Sequence, residues 1–305
     1  MRTSRIHRVN ENGKFRLSQV AFICLFMLVT PIMGQKNHER MTSSYSGNYF
    51  GQKAPSCQPK EFAAEIFSSR GHYSFILHSS IYFTRDGKEA YFTVQDTINF
   101  SKTIKVTKQL DNGWEHPENA GFSITFSDEM GWLSPDDQRI YFFSQVEGNI
   151  DILNFTQRNG DGWSKPVAIE SIEDLHWDDG PFSISAEFSD EGGQDVYYVD
   201  YKDGLYQMPF PIGLPINTQS DEYFQCFSDS MGFMIYYRYD VKKEKRGLFL
   251  SKKNKNGWDT PINLCRRLGL PSGFRASLSP NEEFLFILNR KDGIYWINSE
   301  CLKDL

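Results

Sequence analysis

Three pairs of carboxylates, Asp128-Glu129, Asp178-Asp179 and Asp221-Glu222, recur along this 305-residue chain at one place in a repeating pattern. Each pair stands five to seven residues ahead of a Ser that ends a short strand, and the matching places elsewhere hold His78 and Arg275. Side chains at one register of a ring-forming repeat surround a common axis, so these eight residues are a candidate polar funnel at one mouth of a central channel. Carboxylates there could offer hard-oxygen ligands to calcium, bind a cationic ligand or a small carbohydrate, or act as an acid and base on a glycosidic bond. The simpler reading is that each pair accepts hydrogen bonds from a neighbouring turn and recurs because the fold recurs. No other cofactor is implied.

Other chemistry is missing from the sequence. There is no Gly-x-Ser-x-Gly nucleophile elbow and no phosphate-binding or dinucleotide glycine loop. His72, His78, His116 and His176 include no pair at metal-ligand spacing. A net charge of -6 argues against broad contact with nucleic acid. The basic stretch around Lys242, Lys243, Lys245, Arg246, Lys252, Lys253 and Lys255 reads as a solvated hairpin. A binding or interaction module, monomeric, is therefore the expected function. The alternatives are a carbohydrate-active enzyme, a glycoside hydrolase or lyase using the funnel carboxylates, and a docking scaffold for a partner protein.

The elements that must position the funnel are strands. Aromatics make up 15% of the chain, and they favour a pleated, half-buried surface. A turn followed by an aromatic strand occurs five times, anchored at Tyr91, Tyr141, Tyr197, Tyr236 and Phe286, with spacings of 50, 56, 39 and 50 residues. Those periods suit a four-stranded propeller blade. Each unit also shows a preceding strand, at 80–84, 131–134, 181–185, 224–228 and 275–279. Gly-Trp followed by Pro three residues later marks an outer edge strand at Trp114, Trp163 and Trp258, where these tryptophans read as edge packing. Gly213-Leu214-Pro215 takes that place in the third unit. The chain ends 19 residues past Phe286, one strand short of a blade. The segment from Phe62 to Phe67 is expected to supply that strand, antiparallel to Ile294–Ile297, so that the N-terminal strand closes a five-bladed ring, with six blades as the alternative.

The turns carry a family resemblance. Ser134-Pro135-Asp136-Asp137 with Ile140-Tyr141-Phe142, and Arg85-Asp86-Gly87-Lys88 with Ala90-Tyr91-Phe92, resemble the Ser-Pro-Asp-Gly-Lys-x-Ile-Tyr-Phe core of WD40-like repeats in exported bacterial proteins, as in TolB-type propellers. The turns at Ser189-Asp190 and Ser228-Asp229 depart from it. None completes the Ser-x-Asp-x-Gly-x-Thr-Trp turn of sialidase-type propellers. The resemblance implies an all-β propeller and a periplasmic or extracellular location, and no reaction.

Residues 1–35 read as a secretory signal, with Arg2, Arg5, Arg8, Lys14 and Arg16 ahead of the apolar run from Val20 to Met33. A retained N-terminal membrane anchor is the alternative. Residues 36–56 read as a flexible leader and 57–305 as a single propeller domain. Export leaves Cys57, Cys226, Cys265 and Cys301, for which three connectivities exist. The expected pairing of the terminal strands brings Cys57 and Cys301 together, either as a disulfide or as two free thiols.

Overall fold

The computed structural model describes residues 46–67, 75–123, 125–146, 150–170, 182–186, 193–203, 205–240 and 245–305. The expected signal segment and the pair Asp178-Asp179 lie outside the described residues. The rest is all-β, a set of small antiparallel sheets in a propeller-like ring.

Four anchors lie in sheets of four strands or more. The first unit holds Phe75–Leu77, Tyr82–Phe83, Glu89–Asp96, Lys102–Leu110, Gly113–Trp114 and Glu118–Asn119. The second holds Asp128–Leu133, Arg139–Val146, Ile150–Asn159, Gly162–Trp163 and Val167–Ala168. The fourth holds Asp221–Ser228, Phe233–Asp240, Lys245–Asn254, Gly257–Trp258 and Ile262–Asn263, and the last holds Lys60–Glu61, Gly293–Asn298, Phe284–Asn289 and Arg275–Leu278. The third anchor, Tyr197, lies in a sheet of three strands, Phe182–Ala186, Asp195–Val199 and Phe210–Pro211, with a separate hairpin of Tyr201–Lys202 and Leu205–Tyr206. There are thus four blades among the described residues, not the five that the anchors lead one to expect. The short third unit falls below a blade's strand count.

The anchor strands bury both faces, which explains their unbroken aromatic runs. Successive side chains of a strand point to opposite sides of the sheet. Tyr91 packs with Ile140 and Phe142 of the second unit, whereas Phe92 next to it packs with Phe286 and Trp296 of the last. Leu285 and Ile287 meet Phe233 and Leu248 of the fourth unit, and Phe286 between them turns back to the first. A sheet sandwiched between two others has no face for polar residues, so alternation is lost.

The Ser-Pro-Asp-Gly turn works through its side chains. In the second unit Ser134 Oγ donates to Asp136 Oδ1 at 2.5 Å and accepts from the Arg139 N–H at 2.8 Å, while Asp136 accepts from the Gln138 N–H at 3.0 Å. Thr84 with Asp86, and Ser279 with Asn281, repeat these contacts. The short polar side chains thereby satisfy backbone donors that a turn leaves open. The fourth turn position needs positive φ, and Gly87 (67°), Asp137 (60°) and Glu282 (57°) occupy it. At the two non-glycine positions the side chain crosses to the preceding unit. Asp137 accepts the Arg85 N–H at 2.7 Å, and Glu282 accepts Ser228 Oγ at 2.7 Å and the Asp229 N–H at 3.1 Å. At Gly87 a Cβ would touch Asn48 at 3.4 Å, so the N-terminal segment fills the space that a latch would use.

Residues 36–45 of the expected flexible leader lie outside the described residues, and its later part packs on the core. Phe50 is fully buried, its ring stacked on Trp114 at 4.1 Å, and Trp114 Nε1–H donates to the Gly47 carbonyl at 2.9 Å. Aromatic area of this size outweighs the entropy of ordering a few residues. The expected strand from Phe62 to Phe67 is also corrected. Pairing is confined to Lys60↔Trp296 and Glu61↔Tyr295, and Ala64–Phe67 form one helical turn. The turn lets Phe62 and Phe67 enter the apolar core beside Phe50, where a strand would have exposed one of them. Cys57 and Cys301 form a disulfide, Cα atoms 5.3 Å apart, while Cys226 and Cys265 are free thiols. Among the described residues no helix is long and apolar enough to cross a membrane.

The disulfide links residues 244 positions apart, so its loss frees a very long loop. The double variant C57S/C301S should lose about 2–5 kcal/mol of unfolding free energy in urea; equal midpoints for the variant and the parent would show that the bridge contributes nothing.

Candidate functional site

The eight funnel residues do not act as one set. Asp128 is fully buried and accepts from Ser123 Oγ at 3.1 Å, the Thr125 N–H at 3.1 Å, Thr125 Oγ1, and Ser144 Oγ at 2.6 Å. Glu222 is likewise buried, accepting from the Thr218 N–H at 3.1 Å, Thr218 Oγ1 at 2.5 Å and Arg238 Nε at 2.8 Å. Burial raises the Glu222 carboxyl above its ordinary value in spite of the Thr218 and Arg238 bonds. Both carboxylates cap the loop that leads into the inner strand, six residues ahead of Ser134 and Ser228 respectively. The recurring pairs are thus shifted by one residue: Asp128 corresponds to Glu222, and Glu129 to Tyr223. Asp221 accepts the Gln194 N–H at 3.1 Å, lying over Gly193 where any Cβ would collide with it at 1.8 Å. Asp128 and Glu222 thus bond within their own units, not to the turn of a neighbouring one as the simpler reading expects, and only Asp221 reaches across to another unit.

Glu129 is different. One oxygen takes Lys102 Nζ at 2.5 Å and His78 Nε2 at 3.3 Å, and the other takes Arg275 Nη2 at 2.8 Å. The cluster joins the first, second and last units. Burial opposes the charge of Glu129, but His78, Lys102 and Arg275 together hold its carboxyl well below the ordinary carboxylate range. Burial pushes His78 the other way, below its ordinary value, with Lys102 and Arg275 adding to that. His78 is therefore neutral near pH 7 and donates its Nε2–H to Glu129. Beside them Phe274 carries two guanidinium groups, Arg275 at 4.8 Å and Arg290 at 3.8 Å from its ring centre. The mouth expected to be acidic is basic at this point.

Among the described residues no three His, Cys, Asp or Glu side chains converge on one point as metal ligands. Among the described funnel residues, Asp128 and Glu222 are engaged by donors and Glu129 is surrounded by cations.

The inner strands enclose a cavity of about 950 Å³. One register supplies a residue from every unit to its wall: Tyr82, Trp132, Ser183, Cys226 and Ser277, each two residues ahead of the Thr or Ser that the sequence pattern places at the end of the preceding strand. Glu129, Tyr223 and Arg275 line it toward one end, and Arg85, Asp137, Asp229 and Glu282 toward the turns at the other. Bulges between Met130 and Trp132 and between Phe224 and Cys226 reset the alternation so that Trp132 and Cys226 face the axis. Trp132 lies flat on Tyr141, ring centres 5.3 Å apart and planes 18° apart. Tyr198, Phe210, Tyr223 and Trp258 add further ring surface. Burial keeps the Cys226 thiol protonated at neutral pH.

Sequence reasoning missed this wall. Its signal was present, since the position two residues before the strand-ending Thr or Ser can be read in all five units, but Tyr, Trp, Ser, Cys and Ser share no chemistry. Trp258, expected as edge packing, lines the cavity as well, while Trp163 does pack on the neighbouring unit, its Nε1–H donating to Tyr91 Oη at 3.1 Å.

No protein-family model matches the chain, and no curated protein matches it. Among solved structures it is similar to TolB from Acinetobacter baumannii, at 13% identity over 61% of this chain with a TM-score of 0.33, and spans 45% of that chain's length. It is similar to the β-propeller domain of the trilobed protease from Pyrococcus furiosus, at 10% identity over 69% of this chain and 64% of that one, TM-score 0.36. A glycosyl hydrolase from Bacteroides ovatus gives 8% identity over 85% of this chain and 98% of that one, TM-score 0.46. Likenesses at these scores carry no weight in assigning a function.

The Glu129 cluster has a definite pH signature. The ordinary value of a glutamate is about 4.5, and the folded value of Glu129 lies well below it. The stability it contributes is complete above about pH 4.5 and is lost as the pH falls through the folded value. His78, lowered by burial, brings a loss of its own as the pH falls below about 6.5, so thermal unfolding of the parent should decline mildly from there and more steeply below about 4.5, where Glu129 titrates. E129Q should be less stable by about 3 kcal/mol at pH 7, because cations lose their partner, and its acid decline should be shallower; parallel pH profiles would refute the assignment.

Proposed function

We propose that the chain is an exported propeller-type binding module whose central cavity holds a small, ring-shaped ligand, a saccharide by the chemistry of the wall. The observation that carries this is the single cavity face assembled from all five units, with aromatic rings at several heights and its charged residues gathered toward the two ends. Its volume suits a small-molecule site, and flat rings present the apolar face that sugar rings stack on. The pairing of Lys60–Glu61 with the last strand supports a five-unit ring closed by the N-terminal segment, the third unit being an abbreviated blade. The Cys57–Cys301 bridge and the N-terminal apolar run support export to an oxidising compartment. Glycosidic acid/base catalysis gains little support, because among the described funnel carboxylates Glu129 alone lines the cavity and its partners hold it ionised.

A second reading has its own observation. Leu205, Met208, Phe210 and Leu214 on the third unit are 65%, 64%, 49% and 81% exposed. An apolar strip of this kind favours docking of a protein partner on the edge of the abbreviated sheet. A photo-reactive residue at position 208 should give one specific adduct in the native host, and a smear or no adduct would remove this reading.

For the cavity, calorimetric titration with a panel of neutral and acidic trisaccharides should find at least one that binds, and W132A should weaken it about tenfold or more while W132F retains most of the affinity. If no member of the panel binds, or if W132A binds as the parent does, the cavity is not the site.

A further inference from the structure

The cation cluster at the Glu129 end of the cavity holds more positive charge than Glu129 alone balances, and this bears on the ligand. Glu129 is paired with both Lys102 and Arg275, so one negative charge faces two permanent positive charges. Arg290 stacks on Phe274 from the hairpin between the last two strands and has no carboxylate within ion-pair distance among the described residues. Like-charge repulsion from Arg275 and Arg246 adds to burial in lowering Arg290 below its ordinary value, so these three guanidinium groups are close enough to feel one another. His78, pressed against Phe274 at 6.1 Å between ring centres, stays neutral and does not add a further charge.

Repelling cations gathered around one ring cost free energy unless something compensates them. Glu129 compensates in part. The remaining excess faces a mouth whose inner wall includes Arg275 and Glu129, and that wall continues directly into the aromatic cavity. Guanidinium groups present paired N–H donors that match the two oxygens of a carboxylate.

We infer that the ligand is acidic: a saccharide carrying a carboxylate, which lies against Arg275, Arg290 and Lys102 while its ring occupies the aromatic cavity. This reverses the cationic ligand expected from the acidic pairs in the sequence, and it rests on the cavity reading above. Neutral sugars would fill the same ring space without satisfying the cations. Arg290 is the residue for testing, because it is exposed on a hairpin and its replacement leaves the Glu129 pairs in place.

The experiment is calorimetric titration of the full chain with two trisaccharides of one linkage, one neutral and one built of glucuronate, at low and at physiological ionic strength. The acidic trisaccharide should bind about tenfold tighter at low salt, as a charge-assisted contact predicts. Its advantage should shrink with salt and in R290Q, and return largely in R290K. Equal affinity for the two sugars, or an advantage that R290Q leaves untouched, overturns the acidic ligand and leaves the cavity standing. If neither binds, the cavity reading fails and this inference fails with it.

Discussion

One carboxylate, that of Glu129, is the point on which the channel depends. It comes from the second unit and holds Lys102 from the first and Arg275 from the last, with His78 beside them. The neighbouring strands could not converge there without it, because their side chains repel. Taking three charged groups partly out of water is expensive, and it is sustained because both oxygens of Glu129 are engaged. The charge is therefore also a register device: it aligns three sheets at one height along the axis.

The opposite end of the axis is aligned by different means. Asp137 and Glu282 stand where the repeat has glycine and accept positive φ, which disfavours a side chain by roughly 1–2 kcal/mol. In return each carboxylate binds the turn of the preceding unit. Between these two levels the anchor strands pack aromatic against aromatic on both faces. Together the latches below, the rings between and the charge cluster above leave a cavity whose wall is free to vary. That freedom explains why Tyr82, Trp132, Ser183, Cys226 and Ser277 differ so widely at one register.

The N-terminal residues show how a repeat array manages its ends. Phe50, Phe62 and Phe67 enter one core with Phe83, Trp114 and Trp296, and the disulfide ties residue 57 to residue 301. An array of sheets has two terminal faces that must be covered. The segment ahead of the first anchor covers them with rings, using only two residues of actual strand.

What the sequence by itself determined was the local grammar: strands where aromatic pairs recur, turns where Ser, Asp and Gly recur, and the proximity of Cys57 and Cys301. The strands and turns follow from short-range rules, since a turn's hydrogen bonds lie within five residues, whereas the cysteine proximity follows from the repeat pattern, which leaves the two terminal segments to pair. The candidate site was legible only as a set of recurring carboxylates, and the pairs Asp128-Glu129 and Asp221-Glu222 misled because a one-residue shift in a strand reverses which side chain faces the axis. Tertiary structure alone decided that Asp128 and Glu222 are buried caps, that Glu129 is ringed by cations, that the third unit is an abbreviated sheet, and that Trp258 reaches the cavity. The Glu129 cluster depends on groups as far apart as Glu129 and Arg275, whose meeting no local pattern encodes, while the caps at Asp128 and Glu222 close over shorter spans that only the folded loop reveals.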